Sequence, residues 1–292
     1  MPKTFTLHIL LFFIIISSYT LSHSNKIECS ICESIIKEEK YFVDIWGNPF
    51  HIKHENEGKF CECCSRIISQ KITSGGYQLN DGRLICSLCD ISIIKPGMER
   101  ESLKHVIKAL HEKGLKDLDE KQIEIKTVDK NKMKKLYGNN ASKHLKGMTQ
   151  ISINNKKIFN IYILNNIPKI QFEAILAHEL MHVWLYKNNI NLEHEKMEAF
   201  CNLGSYLIYK KDDTKFSNIH LMSFEQEQNK ETKIYRILKS LMKETSFNYI
   251  LKNIFLTTSG LRIFRRRRIS FISIVFHAKS PMPPLKKEVV PY

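Results

Sequence analysis

The chain has 292 residues, of which 43% are hydrophobic and 26% charged, values ordinary for a globular protein with room for two modest domains. Beyond the N-terminus no apolar run is long enough to cross a bilayer as a helix, which sets aside a bundle of membrane-spanning helices. The formal net charge of +15 favours anionic partners. The lysines, however, are scattered among polar residues without the interleaved aromatics of a base-stacking groove, so they read as a solvated surface and no nucleic-acid partner is expected.

Lys3 precedes a largely apolar run from Leu7 to Ile16, followed by small and polar residues ending Ser22-His23-Ser24. That order is the pattern of a secretory signal peptide, so residues 1–24 are expected to be a leader removed after Ser24, making the protein secreted or extracytoplasmic. An uncleaved run continuing to Leu21 would instead anchor it to a membrane.

Residues 25–95 hold seven of the eight cysteines. Cys29 and Cys32 form a CxxC pair, followed by His51 and His54. Cys61 and Cys64 form a second pair, followed by Cys86 and Cys89. Tetrahedral zinc is satisfied by four thiolate or imidazole ligands, and a CxxC turn brings two sulfurs onto one ion. The first expected structural zinc set is Cys29, Cys32, His51 and His54; the second is Cys61, Cys64, Cys86 and Cys89. A disulfide-stapled loop region is the competing reading. It requires neither the paired spacing nor the histidines, and a segment this short with few large apolar side chains needs metal or cross-links to fold. The arrangement resembles a LIM domain, a double zinc finger that generally serves protein–protein contact. It departs from one at His54, where most such domains have Cys, and in the six residues between His54 and Cys61, where the usual module has two. Cys63 is left over, as a buried small hydrophobe or an alternative ligand.

Pro96-Gly97 marks a boundary, after which residues 97–257 read as a second domain. Met98 to Lys113 has the pattern of an amphipathic helix, Gln122 to Val128 of a strand, Asp129 to Tyr137 of a helix and Lys157 to Leu164 of a β-branched, aromatic strand. Pro168 to Lys187 reads as a helix with proline in its first turn. It carries His178-Glu179-Leu180-Met181-His182, an HExxH pattern. Residues four apart share a helix face, so His178 and His182 can grip one metal, and Glu179 can act as general base on a water that zinc acidifies. A further helix, Leu192 to Tyr209, follows a turn at Asn188-Asn189 and returns antiparallel. Glu198 on it is the expected third ligand of the catalytic zinc, with His194 and Glu195 as alternatives. Cys201 reads as a buried helix residue rather than a nucleophile.

The zinc-finger pattern followed by Ile175 to Trp184, together with Glu198-Ala199-Phe200-Cys201, resembles the LIM-containing, ubiquitin-activated peptidases that limit organ size in plants, and their bacterial relatives. The resemblance runs from about Cys29 to about Leu256. It implies a zinc metallopeptidase and supports Glu198 as a ligand, although Ala199 stands where the family has glycine. Lys233 to Arg236 resembles a later segment centred on Tyr-Gly, without the glycine. The resemblance makes Tyr235 a catalytic candidate, its hydroxyl donating to the oxyanion, beside the plainer reading of a core tyrosine. The ubiquitin-interacting helices of the plant proteins have no counterpart, so ubiquitin activation is not carried over.

The expected fold is α+β: a zinc-stabilised LIM-like double finger, then a mostly helical HExxH domain with a small sheet. The expected function is a zinc-dependent endopeptidase acting on protein or peptide substrates, with one catalytic and up to two structural zinc ions and a protein partner at the LIM-like domain. The alternative is a LIM adaptor with an inactive peptidase-like domain. Residues 258–292 combine Arg265–Arg268 with an apolar stretch to Phe276, and remain open between an edge strand, a membrane-surface contact and a disordered tail.

Overall fold

The computed structural model describes residues 26–138, 145–153, 157–226, 229–252, 276–279 and 287–289. The leader expected at 1–24 and the stretch from Arg265 to Val275 lie outside them. Among the described residues, no helix is long and apolar enough to cross a membrane.

The two CxxC pairs fold as one knuckle built twice. Cys29 N donates to Ser34 O at 2.8 Å and Cys61 N to Arg66 O at 2.9 Å. Glu33 and Ser65 then take positive φ values of 60° and 58°, turning the chain back, and the bridges Glu28–Ile35 and Phe60–Ile67 close each loop. Strands β1 (Tyr41–Val43) and β2 (Pro49–Phe50) pair antiparallel between the knuckles. A one-turn helix α1 (Gln70–Thr73), capped by Ser69, leads into the hairpin β3 (Gly76–Gln78) and β4 (Leu84–Cys86). Gly76 is required there, because a Cβ would stand 2.5 Å from Ile85 O. The short helix α2 (Ser87–Asp90) then carries Cys89.

Helix α3 (Glu99–His111) buries Leu103, Val106, Ile107 and Leu110 along one stripe. It is followed by β5 (Ile123–Val128) and α4 (Lys130–Tyr137), whose N-cap Asp129 accepts from Lys132 N. Strands β6 (Leu145–Ile153) and β7 (Lys157–Leu164) come next, then helices α5 (Lys169–Lys187), α6 (His194–Asp212), α7 (Lys215–Ser223) and α8 (Lys230–Glu244). Two tail strands complete the described chain, β8 (Phe276–Lys279) and β9 (Lys287–Val289). The main sheet has the order β5-β7-β6-β8, with β5 parallel to β7 and the other pairs antiparallel. β9 pairs with β1 in the zinc-rich half. The architecture is therefore α+β, mixing helices with small sheets and Cys/His clusters that could bind zinc.

Helix α5 is the axis of the molecule. Every residue from Gln171 to Leu185 is buried, because α5 has the sheet, α3 and α6 packed around it. Its start is fixed from the zinc-rich half: Lys169 N donates to Ser92 O at 2.8 Å, in place of a side-chain cap. Arg83, only 2% exposed, pairs with Asp81 at 2.8 Å and forks onto Asn165 O at 2.9 Å and Asn165 Oδ1 at 2.7 Å. The same Asp81 accepts from Lys130 N at 2.9 Å, at the start of α4. Removing one partner of such a buried pair typically costs about 3–5 kcal/mol.

The boundary expected at Pro96-Gly97 is an exposed turn, but the parts on either side of it share a core. Cys61, Cys64, Cys86 and Cys89 belong to the same apolar core as α3, α5 and α6, whereas Cys29, Phe50 and Ile67 form a small core of their own. The second knuckle is thus welded to the helical part, and the first knuckle stands off it.

Candidate metal centres

The first four-ligand set gathers Cys29, Cys32, His51 and His54, whose candidate donor atoms lie within 4.8 Å of one another. His51 Nδ1 faces Cys32 Sγ at 3.5 Å, and its other ring nitrogen faces Glu38 at 3.6 Å. His54 directs Nδ1 to Glu57, while its ring also meets Cys32 and its buried Nε2 has no hydrogen-bond partner among the described residues. In each ring one nitrogen is turned to the cluster and the other to a carboxylate, the outer-shell arrangement that orients zinc-bound histidines. His54, the departure from the usual cysteine, therefore fits as a ligand.

The second set gathers Cys61, Cys64, Cys86 and Cys89, whose sulfurs likewise lie within 4.8 Å of one another. Cys64 and Cys86 sulfurs stand 3.8 Å apart, which is the edge of a tetrahedron with metal–sulfur bonds of about 2.3 Å. A disulfide needs about 2.05 Å, and all eight cysteines are free. Four thiolates around a divalent cation leave net negative charge, and the buried Lys146 ammonium sits beside the set, donating to Glu62 O at 2.9 Å. Cys63 is not one of the four; its thiol stands 3.7 Å from Asn166 O and also borders Cys61 and Cys89.

The third cluster lies at the contact of α5 and α6. His178 Nε2 and His182 Nε2 are 3.1 Å apart, close to the roughly 3.3 Å edge expected of two imidazoles on one tetrahedral zinc. Glu198 presents Oε2 at 3.4 Å from His178 Nε2 and Oε1 at 3.7 Å from His182 Nε2. All three side chains are buried. Glu198 Oε1 has no hydrogen-bond partner among the described residues, and neither does Glu179 Oε1. Buried carboxylate oxygens aimed between imidazole nitrogens are costly unless a cation joins them, so this donor set fits zinc.

Cys201 also reaches this cluster, with Sγ 3.3 Å from His182 Nδ1. It could be counted as the third ligand in place of Glu198. The geometry favours Glu198, because its oxygens approach the facing Nε2 atoms while Cys201 stands on the opposite edge of the His182 ring. With Nε2 on a metal, Nδ1 would carry the proton and Cys201 would accept it, holding the ring's orientation. His194 is half exposed, 3.9 Å from Glu198 Oε1, and Glu195 faces Lys230 at 3.6 Å.

Glu179 is fully buried on α5, next to His178. Its Oε2 accepts from the Thr149 hydroxyl of β6 at 2.7 Å, leaving Oε1 free. Burial, opposed by His178 and by the Thr149 hydrogen bond, pushes its carboxyl up to about 8. Thr149 carried no signal in the sequence, because β6 itself was not anticipated. Tyr235 is not brought to the cluster. It is buried on α8 against Phe224 and beside Tyr206, its hydroxyl without a hydrogen-bond partner among the described residues. Tyr206 is two turns along α6 from Glu198, roughly 12 Å at 1.5 Å per residue, so Tyr235 is a core tyrosine here.

The fold and its clusters define an α+β chain with two Cys/His sets suited to zinc and a paired-histidine helix. The family model described as DA1-like, Protein DA1, matches residues 93–259, more than half of the chain, and the chain belongs to that DA1-like family. Among curated proteins it is similar to the LIM domain-containing protein HDR3 of Oryza sativa subsp. japonica, 24% identical over 220 residues covering 62% of this chain and 44% of that protein. It is also similar to Protein DA1-related 2 of Arabidopsis thaliana, 27% identical over 220 residues covering 62% of this chain and 41% of that one. The chain thus spans less than half the length of these relatives. No solved structure matches it.

Proposed function

We propose that the chain is a zinc-dependent endopeptidase whose zinc-rich half contacts proteins. The observation that carries this reading is the buried convergence of His178, His182 and Glu198 beside a general base with one free oxygen. Zinc held there would supply Lewis acidity, lowering the pKa of water and polarising a peptide carbonyl. Glu179 Oε1 takes the proton of the attacking water and passes it to the departing amine nitrogen. Thr149 holds the other carboxylate oxygen, so the base keeps one orientation through both transfers. Cys201 fixes the ring plane of His182. The two Cys/His sets are closed, with four protein ligands each, and so serve structure and contact rather than chemistry.

Glu179→Gln tests the reading. It removes the proton acceptor while leaving His178, His182 and Glu198 in place. Zinc content should be retained, and cleavage of an unfolded protein substrate should fall at least about a hundredfold. Full cleavage by the variant would overturn the mechanism. Zinc at the two Cys/His sets with no cleavage by the parent protein would favour the adaptor alternative.

A further inference from the structure

Strand β6 has two edges. One pairs with β7; the other pairs antiparallel with β8, matching Leu145 with Lys279, Gly147 with Ala278, Met148 with His277 and Thr149 with Phe276. Thr149, at the end of that register, is the residue that holds Glu179. β8 also lies against α5 and α6, the helices that carry His178, His182 and Glu198. A backbone at the normal strand spacing of about 4.8 Å from β6 is therefore led past the third cluster. Without β8, β6 would present an open edge of N–H and C=O groups, which extended chains bind by adding a strand. The chain is secured a second time where β9 pairs with β1.

From this placement we infer that the outer edge of β6 is a binding edge for extended polypeptide, and that residues 276–279 of the same chain occupy it in competition with substrate. Main-chain ladder bonds supply the attachment, so the ligand class is unfolded or extended polypeptide rather than a folded surface. The tether gives the tail strand a high effective concentration at that edge, which is lost once the connection is severed and the fragment diluted. The cleavage arm of the test rests on the peptidase reading; the exchange arm does not.

The experiment uses the full chain with a site-specific protease sequence inserted between residues 258 and 270, cut after purification. Amide exchange of residues 145–153 and cleavage of zinc-loaded protein on unfolded casein are measured before and after cutting. Both should rise about tenfold or more on cutting, and a synthetic peptide of residues 272–283 should reverse both. A second, uncut protein carries His277→Pro and Ala278→Pro. Successive strand N–H groups point to opposite sides, so one of the two prolines must remove a donor facing β6. It should behave as the cut chain does. Exchange that rises with no cleavage in any state supports the tail's place on β6 and overturns the peptidase reading alone. Unchanged exchange with equal cleavage in all states overturns the inference and leaves the peptidase reading standing. Loss of protection throughout α5 as well would show that β8 is a structural strand, and would also overturn it.

Discussion

Gly204 on α6 is where the third cluster is most sensitive to a single methyl group. A Cβ at that position would stand 2.8 Å from Ala177 O, 3.0 Å from Ala177 C and 2.7 Å from Met181 Cγ. The carbonyl belongs to a buried helix and has no rotamer to escape into. To move from 2.8 Å to the 3.4 Å at which ordinary contact begins, α5 and α6 must part by about 0.6 Å. Overpacking of this kind costs about 1–3 kcal/mol, and a rigid backbone neighbour points to the upper end. The gain from replacing a helical glycine by alanine offsets about 1 kcal/mol, leaving a net loss of about 2 kcal/mol. For a chain of this size that lowers Tm by about 4–8 °C. Ala177 adjoins His178, and Glu198 lies on the helix being displaced. Metal–ligand distances tolerate only about 0.2 Å, so the variant should also hold the zinc of this cluster at least about tenfold more weakly. Thermal denaturation and a chelator-competition titration read the two effects on one preparation. A Gly204→Ala protein with parental Tm and parental zinc affinity would refute the claim that close α5–α6 contact sets the ligand geometry.

The purified protein should carry three zinc ions per chain by elemental analysis; one ion, with disulfides mapped among Cys29 to Cys89, would contradict both Cys/His sets. Glu198→Gln should release zinc from the third cluster under mild chelation, whereas His194→Ala should leave its retention near parental, and the reverse result would reassign the third ligand. His220 is expected to weaken the fold in acid. It is buried, its Nδ1 donating to Phe216 O at 2.9 Å and its Nε2 accepting from Gln171 at 3.0 Å, and burial, with Lys146 adding repulsion, lowers its pKa from 6.5 to about 4. The unfolded chain therefore takes up a proton below pH 6.5 that the folded chain refuses, so stability falls as pH falls, by up to about 1.4 kcal/mol per pH unit between 6.5 and 4. His220→Gln should flatten the dependence between pH 6.5 and 5 relative to the parent in urea titrations; an unchanged slope would remove His220 as its source.

Local chemistry made much of this molecule legible in one dimension. The paired spacing of Cys29, Cys32, Cys61, Cys64, Cys86 and Cys89 with His51 and His54 is local geometry, since a CxxC turn places two sulfurs together wherever it occurs. Likewise, one helical turn suffices to put His178 and His182 on one face. The β7 strand and the helices α3 and α4 were readable from the spacing of their apolar residues, with Asp129 capping α4, and α5 and α6 from the Pro168 start and the Asn188-Asn189 turn. What required tertiary structure is whatever depends on packing between distant segments. β6 was missed because its order of Lys146, Gly147, Met148 and Thr149 is neither alternating nor uniformly apolar; Lys146 and Thr149 are buried by contacts to Glu62 and Glu179 that no local pattern reveals. Glu198 was already preferred to His194 and Glu195 in the sequence, but that its carboxylate faces both Nε2 atoms depends on how α6 packs on α5. Tyr235 shows the converse: a short likeness suggested chemistry, and the placement of α8 beside Tyr206 put its hydroxyl in the core. Spacing along a chain fixes which groups can share a turn, but only the packing of whole elements, driven by burial of their apolar faces, fixes which turns meet.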